Sequence, residues 1–272
     1  MNRLITVLLI AITLFSCDKV EVRDVPGIPS YETMIIDFGE MDDTNKSAEL
    51  VESVANKKTN WLVSATTVGV WSLILNTTLA VPVASFKESY GKSPVKTGDD
   101  TWEWTYTFEG LKITYNARLV GTVQGEYNKW EMYITKNGSE EFLWFEGTSA
   151  EDNSSGIWIL YHSPEYNEEV IKIDWKKEGE DIAEVKYTYV RELNNNDEPD
   201  KLYGSYLAYG LRDAEFNAFV HIHIFNEMYD DFTDTYVEWS SADYSGRIKA
   251  EHFYQDTEWH CWDDTWKDID CN

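Results

Sequence analysis

The stretch Thr101–Leu119, TWEWTYTFEGLKITYNARL, decides the fold class of this chain. Its first half alternates aromatic residues with polar ones, the aromatic positions being Trp102, Trp104, Tyr106 and Phe108. A turn is predicted at Glu109-Gly110, and the alternation resumes with Leu111, Ile113, Tyr115, Ala117 and Leu119. Because successive side chains of a strand point to opposite faces, this pattern predicts a β-hairpin with one apolar and one solvated face.

The same alternation continues to the end of the chain and predicts about eleven strands. The later ones are predicted at 130–134, 142–146, 156–162, 170–175, 183–189, 203–209, 216–225, 233–239 and 247–254. Strands joined in sequence by short turns favour an antiparallel meander, and so wide a sheet must twist and curl. We therefore predict a mainly β fold, a large curled meander sheet or open half-barrel with N-terminal helices packed against its concave face. A closed lipocalin-like barrel and a two-sheet sandwich are the alternatives.

Two helices are predicted before the sheet. Ser47 can cap a first helix that begins at Ala48, and a second follows from Asn60 with apolar residues at three- and four-residue steps. The second helix has no charged residue between Trp61 and Phe86, so a transmembrane segment is an alternative. Its Ser, Thr and Asn residues and Pro82 instead favour a helix buried in the concave face of the sheet.

The N-terminus reads as an export signal. Arg3 precedes a mostly apolar run from Leu4 to Leu14, which is too short for a mature membrane span but suits a secretory signal. The run ends in Leu14-Phe15-Ser16-Cys17, which resembles a bacterial lipobox. This resemblance implies a signal peptide at 1–16, acylation of Cys17, and lipid attachment with a tether at 17–43, before a single domain at 44–272. An ordinary signal peptide and an uncleaved anchor helix are the alternatives.

Two further resemblances bear on location and architecture. The segments Trp144-Phe145-Glu146-Gly147 and Ser155-Gly156-Ile157-Trp158 are similar to strands of uncharacterised Bacteroidota-type lipoproteins. The predicted half-barrel resembles, in architecture only, the Lol-type lipoprotein carriers, in which an apolar cavity accepts acyl chains. Asp18 after the cysteine resembles an inner-membrane retention signal of enteric bacteria, whereas in Bacteroidota-type lipoproteins such acidity accompanies outer-membrane display. We expect a lipid-anchored cell-envelope protein in the outer membrane of a Gram-negative bacterium.

Charge and cysteine usage agree with export. The chain has 23 Lys and Arg against 49 Asp and Glu, a net charge of −26, which disfavours nucleic acid as a partner. Beyond Cys17, the remaining cysteines are Cys261 and Cys271, and an even pair in an oxidising compartment predicts a disulfide. Two free thiols are the alternative, and a zinc site is disfavoured because His260 does not complete one.

Two clusters are candidate sites. His221 and His223 share one face of a predicted strand and are candidate metal ligands. The third ligand could be Glu227, Asp230, Asp231 or His252. The alternative is a solvent-facing polar row in which two positions happen to be histidine. Trp259, Trp262 and Trp266 stand beside carboxylates near the C-terminus and are candidate ligand-binding residues, because indole rings stack on sugars. They can equally cover the open end of a β domain.

The function hypotheses follow from these features. The first is a lipid-anchored, noncatalytic scaffold or holder of an apolar ligand, attached to the membrane through its N-terminal lipid. The second is a surface module that binds a glycan or another envelope protein. We predict no cofactor and name no catalytic residue, because the sequence holds no nucleophile elbow, zinc helix or phosphate-binding glycine loop.

Overall fold

A computed structural model of the protein describes residues 24–36, 38, 41, 59–136, 138–162 and 167–271. Fourteen antiparallel strands form one sheet in sequence order, which does not close into a barrel. They are β1 (Val95–Lys96), β2 (Thr101–Gly110), β3 (Ile113–Gln124), β4 (Tyr127–Lys136), β5 (Phe142–Ala150), β6 (Ser155–Tyr161), β7 (Glu169–Glu178), β8 (Asp181–Tyr189), β9 (Tyr206–Leu211), β10 (Ala218–Asn226), β11 (Asp231–Trp239), β12 (Gly246–Lys249), β13 (His260–Trp262) and β14 (Asp268–Ile269). The prediction of a mainly β, curled meander sheet is confirmed.

Three helical segments accompany the sheet in the described residues. A 3-10 turn lies at Tyr31–Thr33, the long helix α1 at Asn60–Ser89, and the single turn α2 at Glu251–Tyr254. The predicted strand at 247–254 therefore ends at Lys249, and its second half is α2. The helix predicted from Ser47, the signal peptide and Cys17 lie outside the described residues.

The hairpin that the opening stretch predicts is formed by β2 and β3. Trp104 pairs with Leu119 and Phe108 with Tyr115, and all four side chains are buried. The turn lies slightly later than predicted, at Leu111 and Lys112, whose φ angles of 51° and 64° are left-handed. Two consecutive left-handed residues match the right-handed twist of the strands they connect, so the hairpin continues through Gly110.

Glycine faces tryptophan across neighbouring strands at four points of the inner face. A Cβ on any of these glycines would lie 2.4–2.7 Å from an indole carbon, so each ring occupies the space that a side chain would need. The pairs are Gly121 with Trp130, Gly147 with Trp158, Gly156 with Trp175 and Gly246 with Trp262. Glycines covered by aromatic rings let a sheet bend sharply without leaving voids, and they account for the curl.

Helix α1 lies across the open side of the sheet and contacts both of its ends, at β2, β12 and β13. The Thr59 hydroxyl caps its first turn by accepting from the Leu62 N–H at 3.2 Å. Asn60 Nδ2 donates to the Cys261 carbonyl at 3.0 Å, and the Tyr106 hydroxyl donates to the Ser85 carbonyl at 2.6 Å. The helix therefore joins the first and last parts of a sheet that does not close on itself.

Helix α1 is also long and apolar enough to cross a membrane, judged by length and composition alone. In the structure 44% of its most apolar window is buried against the rest of the protein. Its outward face remains uncharged and includes Val70, Leu73 and Ile74. The prediction of a helix packed on the concave face is confirmed, although this helix is less completely covered than the sequence suggested.

The segment before α1 lines the interior. Composition assigned residues 17–43 to a tether, yet Thr33, Met34, Phe38 and Met41 are buried in the core. The Trp158 indole donates to the Thr33 hydroxyl at 3.0 Å, and the Tyr187 hydroxyl donates to the Met34 carbonyl at 3.1 Å. Burial raises the pKa of Tyr187, which keeps this donor protonated. We call the described residues from Asp24 to Met41 the N-terminal strap.

The disulfide between Cys261 and Cys271 closes a short loop beside the start of α1, with a Cα–Cα distance of 5.3 Å. Within this loop the Asp268 carboxylate accepts from the Asn60 N–H at 2.7 Å. Trp266 stacks on Trp61 with ring centroids 4.4 Å apart. The loop therefore holds the N-terminus of α1 in place.

We expect the double variant Cys261→Ser, Cys271→Ser to unfold with a free energy lower by about 2–3 kcal/mol, because the unfolded chain loses its loop constraint. Urea unfolding followed by tryptophan fluorescence measures this difference. Reduced wild-type protein is the control and should match the double variant. A change below about 0.5 kcal/mol would show that the bridge contributes nothing to stability.

Candidate binding groove on the convex face

The three candidate tryptophans do not form one exposed platform. Trp262 is 1% exposed, lies over Gly246 and donates its indole N–H to the Tyr244 carbonyl at 2.6 Å. Trp266 stacks on Trp61, and Trp259 lies under the Arg247 guanidinium at 4.3 Å. A ring buried to this extent offers no face to a ligand, so Trp262 belongs to the core of the domain.

His221 and His223 lie on the convex face of β10, as the alternation predicted, while Val220 and Ile222 are buried on its other face. The register places His223 opposite Asp234 of β11. Asp234 Oδ1 accepts from His221 Nε2 at 2.7 Å and from His223 Nδ1 at 2.9 Å. One carboxylate oxygen therefore joins both imidazoles.

Aromatic rings enclose these two histidines. His221 stacks on Tyr236 with centroids 4.1 Å apart, and His223 stacks on Phe232 at 4.6 Å. Tyr206 of β9 contacts both imidazoles from the other side, at 5.0 and 5.1 Å. Partial burial raises the pKa of Asp234, but the hydrogen bonds from the two histidines outweigh it and hold that pKa below its usual value. The carboxylate thus stays ionised at neutral pH.

The metal assignment of His221 and His223 stays a prediction. Within the described ranges, no group of three or more His, Cys, Asp or Glu side chains is placed to hold a metal ion. The nitrogens that face Asp234 are engaged in the two hydrogen bonds, which account for the histidine pair without a metal.

A groove of about 910 Å³ opens beside this cluster, between β11 and the segment around α2. One wall carries the rings of Phe232 and Tyr236 together with Asp234, and the other carries His252 and Gln255, while Tyr229 closes one end. Such a volume is within the range of about 300–1,000 Å³ that small-molecule sites occupy. We call this feature the convex groove.

The second wall of the convex groove is held by short-range contacts. The Tyr229 hydroxyl donates to the His252 carbonyl at 3.0 Å, which ties the β10–β11 loop to α2. Gln255 has a left-handed φ of 62° and ends α2. His252 Nδ1 is buried and has no hydrogen-bond partner among the described residues, and burial lowers the pKa of this imidazole. The wall of the groove therefore contains the neutral imidazole of His252, whose Nδ1 has no hydrogen-bond partner among the described residues.

The sequence identified only part of this groove. It placed both histidines on one face and named His252, but it did not name Asp234, Tyr236, Tyr229 or Gln255. A signal for two of them was present, since Phe232, Asp234 and Tyr236 alternate with Thr233, Thr235 and Val237 along β11. Tyr229 and Gln255 lie in connections, where periodicity carries no information.

The comparison with family models, with curated proteins and with solved structures gave no match in any of the three. Its function must therefore be argued from its own residues.

Proposed function

We propose that this protein is a lipid-anchored, noncatalytic scaffold of the cell envelope. Its outer face is exposed, and its interior is filled by segments of its own chain. The observation that carries this proposal is that α1 and the N-terminal strap occupy the concave face. Phe86 and Leu79 from α1 and Met34 from the strap are fully buried there. A holder of acyl chains needs this space for its ligand, so the scaffold is favoured over the carrier.

The aromatic contacts inside the half-barrel support permanent occupation of its interior by α1 and the N-terminal strap. Phe86 packs edge-on against Phe145 and Trp158, with centroids 5.9 and 5.2 Å apart. Phe38 of the strap packs in the same way on Tyr209 at 5.4 Å. Aromatic pairs in this geometry add stability beyond the area they bury, so an apolar ligand would have to displace favourable contacts.

The lipobox-like end at Cys17 supports anchoring. Only six residues separate Cys17 from Asp24, where the described chain begins. Even fully extended, these seven Cα–Cα steps reach about 25 Å. An acylated Cys17 would therefore hold the domain close to the membrane surface, and we place it on the outer membrane.

Anchoring and interior occupancy can be tested on the same preparations. Wild-type protein should incorporate an alkyne-tagged fatty acid and fractionate with outer membranes, whereas Cys17→Ala should lose the label and its membrane association. Native mass spectrometry of purified wild-type protein should show the mass of the acylated chain and no retained lipid or other apolar molecule.

Two results would contradict the proposal. Retention of label and membrane association by Cys17→Ala would exclude Cys17 as the anchor. A stoichiometric apolar molecule released only on unfolding would identify a holder of apolar ligands instead of a scaffold. Arg3→Ala is a matched control, because it changes the signal region without removing the cysteine.

A further inference from the structure

We infer that the convex groove is a binding site for a neutral oligosaccharide, seated between the rings on β11 and the polar wall around α2. This inference concerns the outer face of the sheet and does not depend on how the chain is anchored. It also differs from the tryptophan cluster suggested by the sequence, because the structure buries the ring of Trp262.

The first argument is the combination of side chains. Phe232 and Tyr236 line the convex groove with ring surface, and Tyr229, which is 51% exposed, adds a third ring at its end. Asp234 and Gln255 lie among these rings and offer hydrogen-bond acceptors and donors. Sugars present an apolar C–H face beside hydroxyl groups, and a site of rings and planar polar groups satisfies both.

The second argument is the unused nitrogen of His252. Nδ1 is buried beside the groove and finds no partner within the part of the chain that the structure describes. An unpaired buried polar atom costs free energy unless a partner reaches it. A hydroxyl group can donate to this nitrogen, and hydroxyl groups are what a saccharide supplies most densely.

Charge excludes the acidic sugars. Asp231, Asp234 and Glu251 line the groove against a single cation, Lys249. The chain as a whole carries a net charge of −26. A ligand with carboxylate or sulfate groups would be repelled both locally and at long range, so the ligand class is neutral.

A peptide is a separate outcome of the test. An extended peptide binds by pairing with the free edge of a sheet. The groove strand β11 pairs with β10 along Asp231–Trp239 but with β12 only along Tyr236–Trp239, so the backbone of Asp231–Thr235 is paired on one side only. A saccharide is favoured over a peptide by the side chains of the groove, whose rings and planar polar groups match C–H faces and hydroxyl groups.

The test uses the full-length mature protein on an array of neutral and uronic-acid-containing oligosaccharides, followed by calorimetric titration of the best neutral ligand. We expect millimolar or tighter binding to neutral glycans and none to acidic ones. Tyr229→Ala should weaken binding at least tenfold, with a small fall in Tm because the hydrogen bond from its hydroxyl to the His252 carbonyl is lost. Tyr229→Phe loses the same hydrogen bond but keeps the ring, so it should show the same small fall in Tm and bind as tightly as wild type.

Controls separate this site from the rest of the surface. Tyr127→Ala removes a similarly exposed tyrosine, 46% exposed, from a strand outside the groove and should leave binding unchanged. Gln255→Ala is a second groove variant that removes a hydrogen-bonding group without touching a ring. The inference is overturned if no neutral glycan binds, if only acidic glycans or peptides bind, or if neither groove variant weakens binding. These outcomes leave anchoring through Cys17 untouched.

Discussion

Replacing Gly147 with alanine should lower the free energy of unfolding by about 3 kcal/mol or more, at or above the upper end of the usual cost of overpacking. The added Cβ would lie 2.2 Å from the Ile157 carbonyl oxygen and 2.4 Å from an indole carbon of Trp158. The first of these is backbone of the paired strand, which cannot move aside as a flexible side chain can. The sheet itself must open.

Thermal and urea unfolding measure this effect, and the loss corresponds to a fall in Tm of about 6–12 °C for a domain of this size. Gly91→Ala is the matched control, because no atom lies within 4 Å of its new Cβ and its φ is not left-handed. Its effect should stay within about 0.5 kcal/mol. Equal stability of the two variants would mean that the Gly–Trp pairs do not set the curvature.

Phe86→Ala should lower the free energy of unfolding by about 3–5 kcal/mol, the usual cost of removing a buried phenylalanine. Phe86 is fully buried on the inward face of α1, against Phe145 and Trp158. The truncated side chain leaves a cavity between the helix and the centre of the sheet. Because α1 joins the two ends of the sheet, we also expect faster hydrogen exchange in β2 and β13.

Leu73→Ala provides the control on the same helix. Leu73 is 66% exposed, and alanine is the better helix former, so stability should change by less than about 0.5 kcal/mol. A large loss at Leu73 with little at Phe86 would mean that α1 faces the other way. Urea unfolding of both variants at one pH decides between the two orientations.

Local pattern was sufficient to predict the strands β2–β12, but not the short strands β1, β13 and β14. The alternation in Thr101–Leu119 predicts which side chains of β2 and β3 are buried, since the period of a strand is fixed by its backbone. The cause of the curl of the sheet was not predictable from this alternation. Gly147 and Trp158 become partners only through the register between β5 and β6, and no single-strand pattern contains that register.

The N-terminal strap and the convex groove give the same result: their local structure was predictable, but their contacts with other segments were not. Pro26, Gly27 and Pro29 indicate irregular structure, which is what the chain has there, but composition does not tell a free tether from a segment bound in a core. Likewise the sequence placed His221 and His223 on one face, whereas Asp234 joins them only through the pairing of β10 with β11. Contacts between separate segments were what sequence reasoning missed.

The position of α1 in the chain has a consequence for how the protein is made. Each strand pairs with the next, so the sheet can grow as the polypeptide emerges. The helix is synthesised before any strand, yet its contacts extend to β12 and β13 near the C-terminus. During synthesis the part of its uncharged surface that packs on β12 and β13 therefore stays uncovered until almost the entire remaining chain has been made. The biogenesis of this protein should therefore depend on a chaperone that shelters a nascent apolar helix.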